Sequence, residues 1–201
     1  MYKLEFKTGV IEINELIGKY CFPDKFMEFC KVCPEYNKVW SCPPLDINPP
    51  EYLREYDYAV VMGTKIKYAP DFIEKSKGDI EVAKTTVYDI SVKVRNALLH
   101  TEGRRQNIKA IAPGSCNICR PCQRAFAKRC KYPEKMRYSF DSFGVDLTEI
   151  AENLLGTKLL WVKDGLPEYH MLISAFLIKE NEKAADISAA LVSEFIEFVK
   201  S

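Results

Sequence analysis

Eight cysteines fall into two sets of four, Cys21, Cys30, Cys33 and Cys42 in one segment and Cys116, Cys119, Cys122 and Cys130 in another, with none elsewhere in the 201 residues. The first of these segments resists long helices or strands. Residues 20–50 hold six prolines beside their four thiols, and each proline fixes φ and removes a backbone donor, so the stretch reads as a loop folded around ligands, with room for a short helix near Asp24 to Phe29. Four thiols per set is the number that closes one tetrahedral metal site or one cubane iron–sulfur cluster.

The same eight thiols in a secreted chain would be four disulfides with about 105 possible pairings. The first residues, MYKLEFKTGVIEINEL, alternate charged with apolar residues and contain no apolar core of signal-peptide length. Reduced thiols in a cytoplasmic protein are therefore the expectation. The run LISAFLI is far short of the roughly 20 residues of a membrane span, so no membrane partner is expected. With 201 residues the chain can bury a core without metal staples, which predicts one metal-binding domain over residues 1–201, with cysteine-rich segments at 20–50 and 114–137, and a metal that serves function rather than folding alone.

Charge is balanced overall, 29 Lys and Arg against 28 Asp and Glu, which disfavours nucleic acid as a partner. Locally it is not. From Arg120 to Arg137 stand seven bases, Arg120, Arg124, Lys128, Arg129, Lys131, Lys135 and Arg137, against the single acid Glu134. A four-thiolate [4Fe–4S] centre carries about −2 when oxidised, and such a collar stabilises it and raises its potential.

Leu4, Phe6, Val10, Ile11 and Ile13, with a Thr-Gly pair among them, predict a strand or hairpin. YAVVMGTKIKY at 58–68 reads as a buried strand. Over 79–101, Ile80, Ala83, Val87, Ile90, Val94, Ala97 and Leu98 recur at helical spacing and predict a long amphipathic helix. NIKAIAPG at 107–114 then reads as a strand, so strand, helix and strand form a βαβ unit with parallel pairing. That predicts an α/β fold, or α+β, built on a mixed sheet with flanking helices, and places the second cysteine set at a strand's carboxyl end, where ligand sites occur. Beyond it the sequence predicts a helix from Asp146, as N-cap, to Leu155 with Gly156 as stop. KLLWVKD and YHMLISAFLIK predict a hairpin around Gly165 and Pro167, and residues 184–200, with Ile187, Leu191, Phe195, Ile196 and Val199, a final amphipathic helix.

Cys116, Cys119 and Cys122 form C-x2-C-x2-C, three sulfurs in seven residues, which suits three corners of a cubane better than zinc, whose ligands come as separated pairs. Seven residues separate Cys122 from Cys130. Were that stretch helical, the two sulfurs would stand roughly 12 Å apart along the axis. Either the helix breaks and Cys130 folds back, which is slightly favoured, or Cys130 ligates the other cluster. In the first set the Cys30-x2-Cys33 pair, with Cys42 nine residues on, allows zinc, but Cys33-Pro34 and Cys42-Pro43-Pro44 are pairings common around cubanes. Trp40, Tyr36 and Phe29 are near enough in sequence to shield a cluster, or serve as ordinary core.

FCKVCPEYNKVWSCPP together with GSCNICRPCQRAFAKRCKYPEKMRYSFDSFGVD resembles a family of predicted metal-binding proteins of archaea and anaerobic bacteria, the domain of unknown function 2284 family. The resemblance covers most of the chain and implies ligand positions at Cys30, Cys33, Cys42, Cys116, Cys119, Cys122 and Cys130. Cys21 completes the first set by count. It implies metal and is silent on the reaction.

The two histidines, His100 and His170, have no carboxylate at metal-ligand spacing. Arg104-Arg105 can bind an anion or lie on a solvated face. Arg137, Tyr138, Ser139, Asp141 and Gly144 can seat a small anionic substrate or close a tight turn. No nucleotide-binding fingerprint and no C-x3-C-x2-C motif is present. The expectation is an iron–sulfur protein with two [4Fe–4S] clusters that passes electrons to a redox partner protein or bound substrate. An enzyme with one open iron, and a zinc-stabilised interaction or nucleic-acid-binding module, are the alternatives.

Overall fold

A computed structural model describes residues 1–76, 80–161, 166–179 and 184–201. Its centre is a four-stranded sheet of β1 (Tyr2–Glu12), β2 (Tyr58–Tyr68), β3 (Ile108–Ile111) and β4 (Tyr169–Ile178), in the order β1-β2-β4-β3. Every neighbouring pair is antiparallel. Among the described residues seven α-helices accompany this sheet, an α+β fold.

The two central strands explain their own composition. Along β2, Ala59 and Val61 face one core while Val60 and Met62 face another, and along β4 Ile173, Ala175 and Leu177 alternate in the same way with Phe176 and Ile178. Successive side chains point to opposite faces, so a strand covered on both sides needs an unbroken apolar run rather than alternation. One face is covered by α5 (Ile80–Gly103) and α7 (Ala184–Lys200), through Ile90, Val94, Ala97 and Leu98 of the first and Leu191, Phe195 and Val199 of the second. These are the residues that the helical periodicity selects, except that the side chains of Ile80 and Ile187 lie outside the described residues. The opposite face is covered by α1 (Ile13–Tyr20), α3 (Pro49–Leu53) and α6 (Leu147–Asn153), with Phe140 and Phe143. Two further helices, α2 (Pro23–Lys31) and α4 (Pro70–Lys75), bury no residue completely.

One open alternative is settled and two expectations are corrected. The opening segment is one continuous strand, paired with β2 from Tyr2↔Tyr68 to Glu12↔Tyr58. Thr8-Gly9 makes no turn. Gly9 instead lets the Leu154 side chain cross the strand, since a Cβ there would lie 2.6 Å from Leu154 Cγ. Secondly, β2 and β3 run in the same direction, as a βαβ crossover requires, but they do not pair. Both are antiparallel to β4, which lies between them. Thirdly, residues 158–161 form no strand, and 162–165, including Gly165, lie outside the described residues. In place of a hairpin partner there, β4 takes β2 and β3 as its two neighbours.

The helix after the second cysteine set ends as its sequence dictates. The Asp146 carboxylate accepts from the Thr148 and Glu149 N–H groups at 3.1 and 3.2 Å, and Gly156 follows in the left-handed region at φ 61°. No helix among the described residues is long and apolar enough to cross a membrane.

Candidate metal centre

At the end of β3 the backbone N–H of Ala112 donates to the Tyr138 carbonyl at 2.9 Å, tying the strand's end to the chain that returns after Cys130. Between these points runs the second cysteine loop. A single 3-10 turn, Gln123–Phe126, follows Cys122, and Ala127 then reverses the chain at φ 53°. Residues 122–130 are thus not one helix. The four thiols are all partly exposed and lie near enough for their charges to act on one another. Burial raises the Cys119 pKa first, and Cys122, Cys116 and Cys130 each raise it further. Cys130 is likewise raised by burial, with Cys116 and Cys122 adding to it. Cys116, Cys119, Cys122 and Cys130 are thus within electrostatic reach on one loop, which the left-handed turn at Ala127 breaks before Cys130.

The first set divides. Cys30 is near the end of α2, and Cys33 follows in a turn whose N–H donates to the Cys30 carbonyl at 3.0 Å. The Asn37 N–H donates to the Pro43 carbonyl at 2.8 Å, which folds the segment so that Cys42 returns toward Cys33. Burial raises the Cys30 pKa, and the charges of Asp141 and Cys33 add to it. Burial pushes Cys42 up to about 12, with Asp141, Glu35 and Cys33 contributing. Cys21 stands elsewhere. It is 9% exposed, packs in the core with Phe143 and Val145, and donates its S–H to the Phe143 carbonyl at 3.4 Å. Burial lifts its pKa to about 11, against the pull of Arg54. The charges of Cys116, Cys122 and Cys130 thus reach one another across the second loop, and those of Cys33 and Asp141 reach Cys30 and Cys42 in the first segment.

The two groups are clamped to each other. The Arg124 guanidinium donates to three carbonyls of the first segment, Val39 at 3.2 Å, Cys42 at 2.8 Å and Pro44 at 2.6 Å. It also stands 5.0 Å from the Trp40 ring centre, and Trp40 Nε1 donates back to the Lys128 carbonyl at 3.1 Å. The Cys116 N–H donates to the hydroxyl of the fully buried Ser41 at 2.8 Å, and Arg120 pairs with Glu35 at 3.4 Å. Charged hydrogen bonds to carbonyls contribute about 1.5–3 kcal/mol each, so Arg124 carries much of this contact. Of the aromatics weighed as a shield, Trp40 works as part of this clamp and Phe29 is 65% exposed.

Three of the seven bases of the collar, Arg120, Arg124 and Arg137, are committed to partners. Arg137 binds Glu102 through two bonds, Nε to Oε2 at 2.6 Å and Nη2 to Oε1 at 2.7 Å, and donates Nη1 to the Glu134 and Met136 carbonyls. Both side chains are about nine-tenths buried. Lys128, Arg129, Lys131 and Lys135 are exposed. Arg104 and Arg105 pair with Glu194 of α7 at 3.4 and 2.7 Å, so they join two helices. The histidines are structural as well. His170 Nδ1 is 2.9 Å from the Tyr68 hydroxyl, and burial lowers its pKa, while the His100 ring lies 4.8 Å from that of Phe198.

Arg95 of α5, which spacing arguments passed over, bears most directly on metal. It is 2% exposed and anchors the second loop, Nε donating to Asn117 Oδ1 at 2.9 Å and Nη2 to the Ser115 carbonyl at 3.0 Å. Its Nη1 is buried with no hydrogen-bond partner, and the charge that attracts it is that of Cys116. A guanidinium keeps its charge in proteins, and a buried cation without an anion costs several kcal/mol. An anionic thiolate-bound centre at Cys116, Cys119, Cys122 and Cys130 would supply that counter-charge. The donor set therefore fits such a group, although among the described residues no three His, Cys, Asp or Glu side chains make a ready site for a single ion.

The profile of a family described as predicted metal-binding protein, DUF2284, matches residues 16–178. The chain belongs to this family. The matched span holds all eight cysteines, Arg95, Arg124 and Asp141, along with the three strands β2, β3 and β4. No curated protein and no solved structure matches the chain. Within the DUF2284 family, then, metal binding is the function that the match supports.

Proposed function

We propose that this member of the DUF2284 family is a cytoplasmic iron–sulfur protein that holds two [4Fe–4S] clusters and passes electrons to a redox partner protein in anaerobic metabolism. The observation that carries the reading is the second group. Three thiols at C-x2-C-x2-C, with Cys130 further along the same loop and within electrostatic reach of Cys116 and Cys122, supply four donors for one cubane, near a buried guanidinium whose Nη1 has no hydrogen-bond partner among the described residues. When bound, such a group stores and releases single electrons at a potential tuned by charge and hydrogen bonding around its sulfurs. Arg95 and the Cys116 N–H lie at this loop, and Arg95 favours the added negative charge of reduction more than a neutral side chain would. Exposed apolar side chains flank both groups, Phe29 and Val32 at the first and Phe126 at the second, and leave room for a partner protein to approach.

The test is spectroscopic. Protein prepared without oxygen and reduced with dithionite should give the EPR signal of a reduced cubane, and serine at Cys119 or at Cys130 should each remove the same component. A Cys130→Ser protein with both components intact would place Cys130 outside the second site.

A further inference from the structure

β1 forms one edge of the sheet, and among the described residues it pairs with β2 alone. The two ends of that ladder show which of its main-chain groups are free. The Ala69 N–H donates to the Met1 carbonyl at 3.0 Å and the Ile13 N–H to the Asp57 carbonyl at 2.9 Å, both in the β1–β2 register. Hydrogen-bonded residues alternate along an antiparallel strand. The odd-numbered residues of β1 therefore bond to β2, while Tyr2, Leu4, Phe6, Thr8, Val10 and Glu12 turn their N–H and C=O groups outward. This free edge is 11 residues long, and Tyr2 and Val10 on it are 39% and 42% exposed. A long edge with exposed apolar side chains is a template for another strand.

We propose that the occupant of this edge is a second copy of the chain, its β1 antiparallel to the first about a two-fold axis at Phe6. Charge decides the register. With the axis at Phe6, Glu5 of each copy lies opposite Lys7 of the other and Tyr2 opposite Val10, so both charges and both exposed apolar side chains are matched. Glu5 is available for this, since its contacts within the chain are long, Lys3 at 3.9 Å and Lys65 at 4.0 Å. An axis at Glu5 or at Lys7 sets two like charges directly against each other, which is destabilising. An axis at Leu4 pairs Glu5 with Lys3 but leaves Val10 without a partner, and one at Thr8 makes no ion pair. The Phe6 register also brings the outward groups of Tyr2, Leu4, Phe6, Thr8 and Val10 opposite one another, for about ten main-chain hydrogen bonds. Lys3, its side chain 79% exposed, then stands opposite Gly9, beside a cleft that Glu15 and Glu149 line. Four strands from each copy make one sheet, and because the same surface is used on both sides the contact closes on itself. The pairing is independent of what the thiols hold.

Sedimentation velocity on the full chain, prepared without oxygen, is the test. At micromolar concentrations the wild type should run at about twice the 23.1 kDa of one chain. Lys7→Glu and Glu5→Lys should each weaken the dimer by about tenfold or more, because each sets like charges opposite one another on both sides of the axis. Mixed in equal amounts, these two variants should form a mixed dimer within a few-fold of wild-type affinity, since the reversed charges then meet opposite ones. Thr8→Pro removes an outward N–H and none of those that bond to β2, so it should keep the wild-type circular dichroism and run as a monomer. A wild-type monomer overturns the proposal. So does a dimer that persists in folded Thr8→Pro, or a mixture of the two charge variants that stays monomeric.

Discussion

Glu102→Ala is expected to destabilise the fold by about 3–5 kcal/mol, because it strands a buried guanidinium. Glu102 ends α5, and its carboxylate takes two bonds from Arg137 and one from the Ala110 N–H of β3 at 3.1 Å, with Lys109 Nζ at 3.3 Å. One side chain thus joins the long helix, the short edge strand and the chain that returns after Cys130. Arg137→Met should cost a similar amount for the mirror reason, since it leaves the buried carboxylate to the Ala110 N–H and to Lys109, which is partly exposed. The pair replaced together, Glu102→Leu with Arg137→Met, should be less damaging than the two single changes summed, as neither charge is then orphaned. Urea unfolding midpoints measure all three. Additive losses would mean that the two groups do not act as a pair.

Arg95→Met is the second large effect. It removes a cation buried at the Cys116 loop, together with its bonds to Asn117 and Ser115. Under the proposed function, the second cluster's midpoint potential should fall by about 60 mV or more, a tenfold shift of a one-electron equilibrium, or the cluster should be lost. Arg95→Lys keeps the charge without the planar fork and should lie between. A potential unchanged in Arg95→Met, with the cluster retained, would show that this charge does not face the centre.

The parts of the fold governed by local rules were legible in the sequence. The 3.6-residue recurrence of Ile90, Val94, Ala97 and Leu98 found α5, and Asp146 and Gly156 bracketed α6, because periodicity and capping are properties of neighbouring residues. Strand pairing is not such a property. MLISAFLI lacks polar alternation, which is itself the mark of a central strand covered on both faces, but nothing in it names β2 and β3 as its neighbours.

The same division holds at the metal centre. Spacing set Cys116, Cys119 and Cys122 apart as one loop, while counting to four put Cys21 with Cys30, and the fold holds Cys21 in the core on the Phe143 carbonyl. A physical signal for Cys21 was present. It continues the apolar run of Ile13, Leu16, Ile17 and Tyr20 along α1, the pattern of a core residue. Arg95 and Arg124 carried no such mark, since each acts on groups about 20 and about 80 residues distant in the chain.

The central claim is that these thiols hold iron–sulfur clusters, and metal and acid-labile sulfide measured on one anaerobically purified sample test it most directly. Two cubanes require about eight irons and about eight sulfides per chain. About two zinc ions per chain, with no sulfide, would contradict the account.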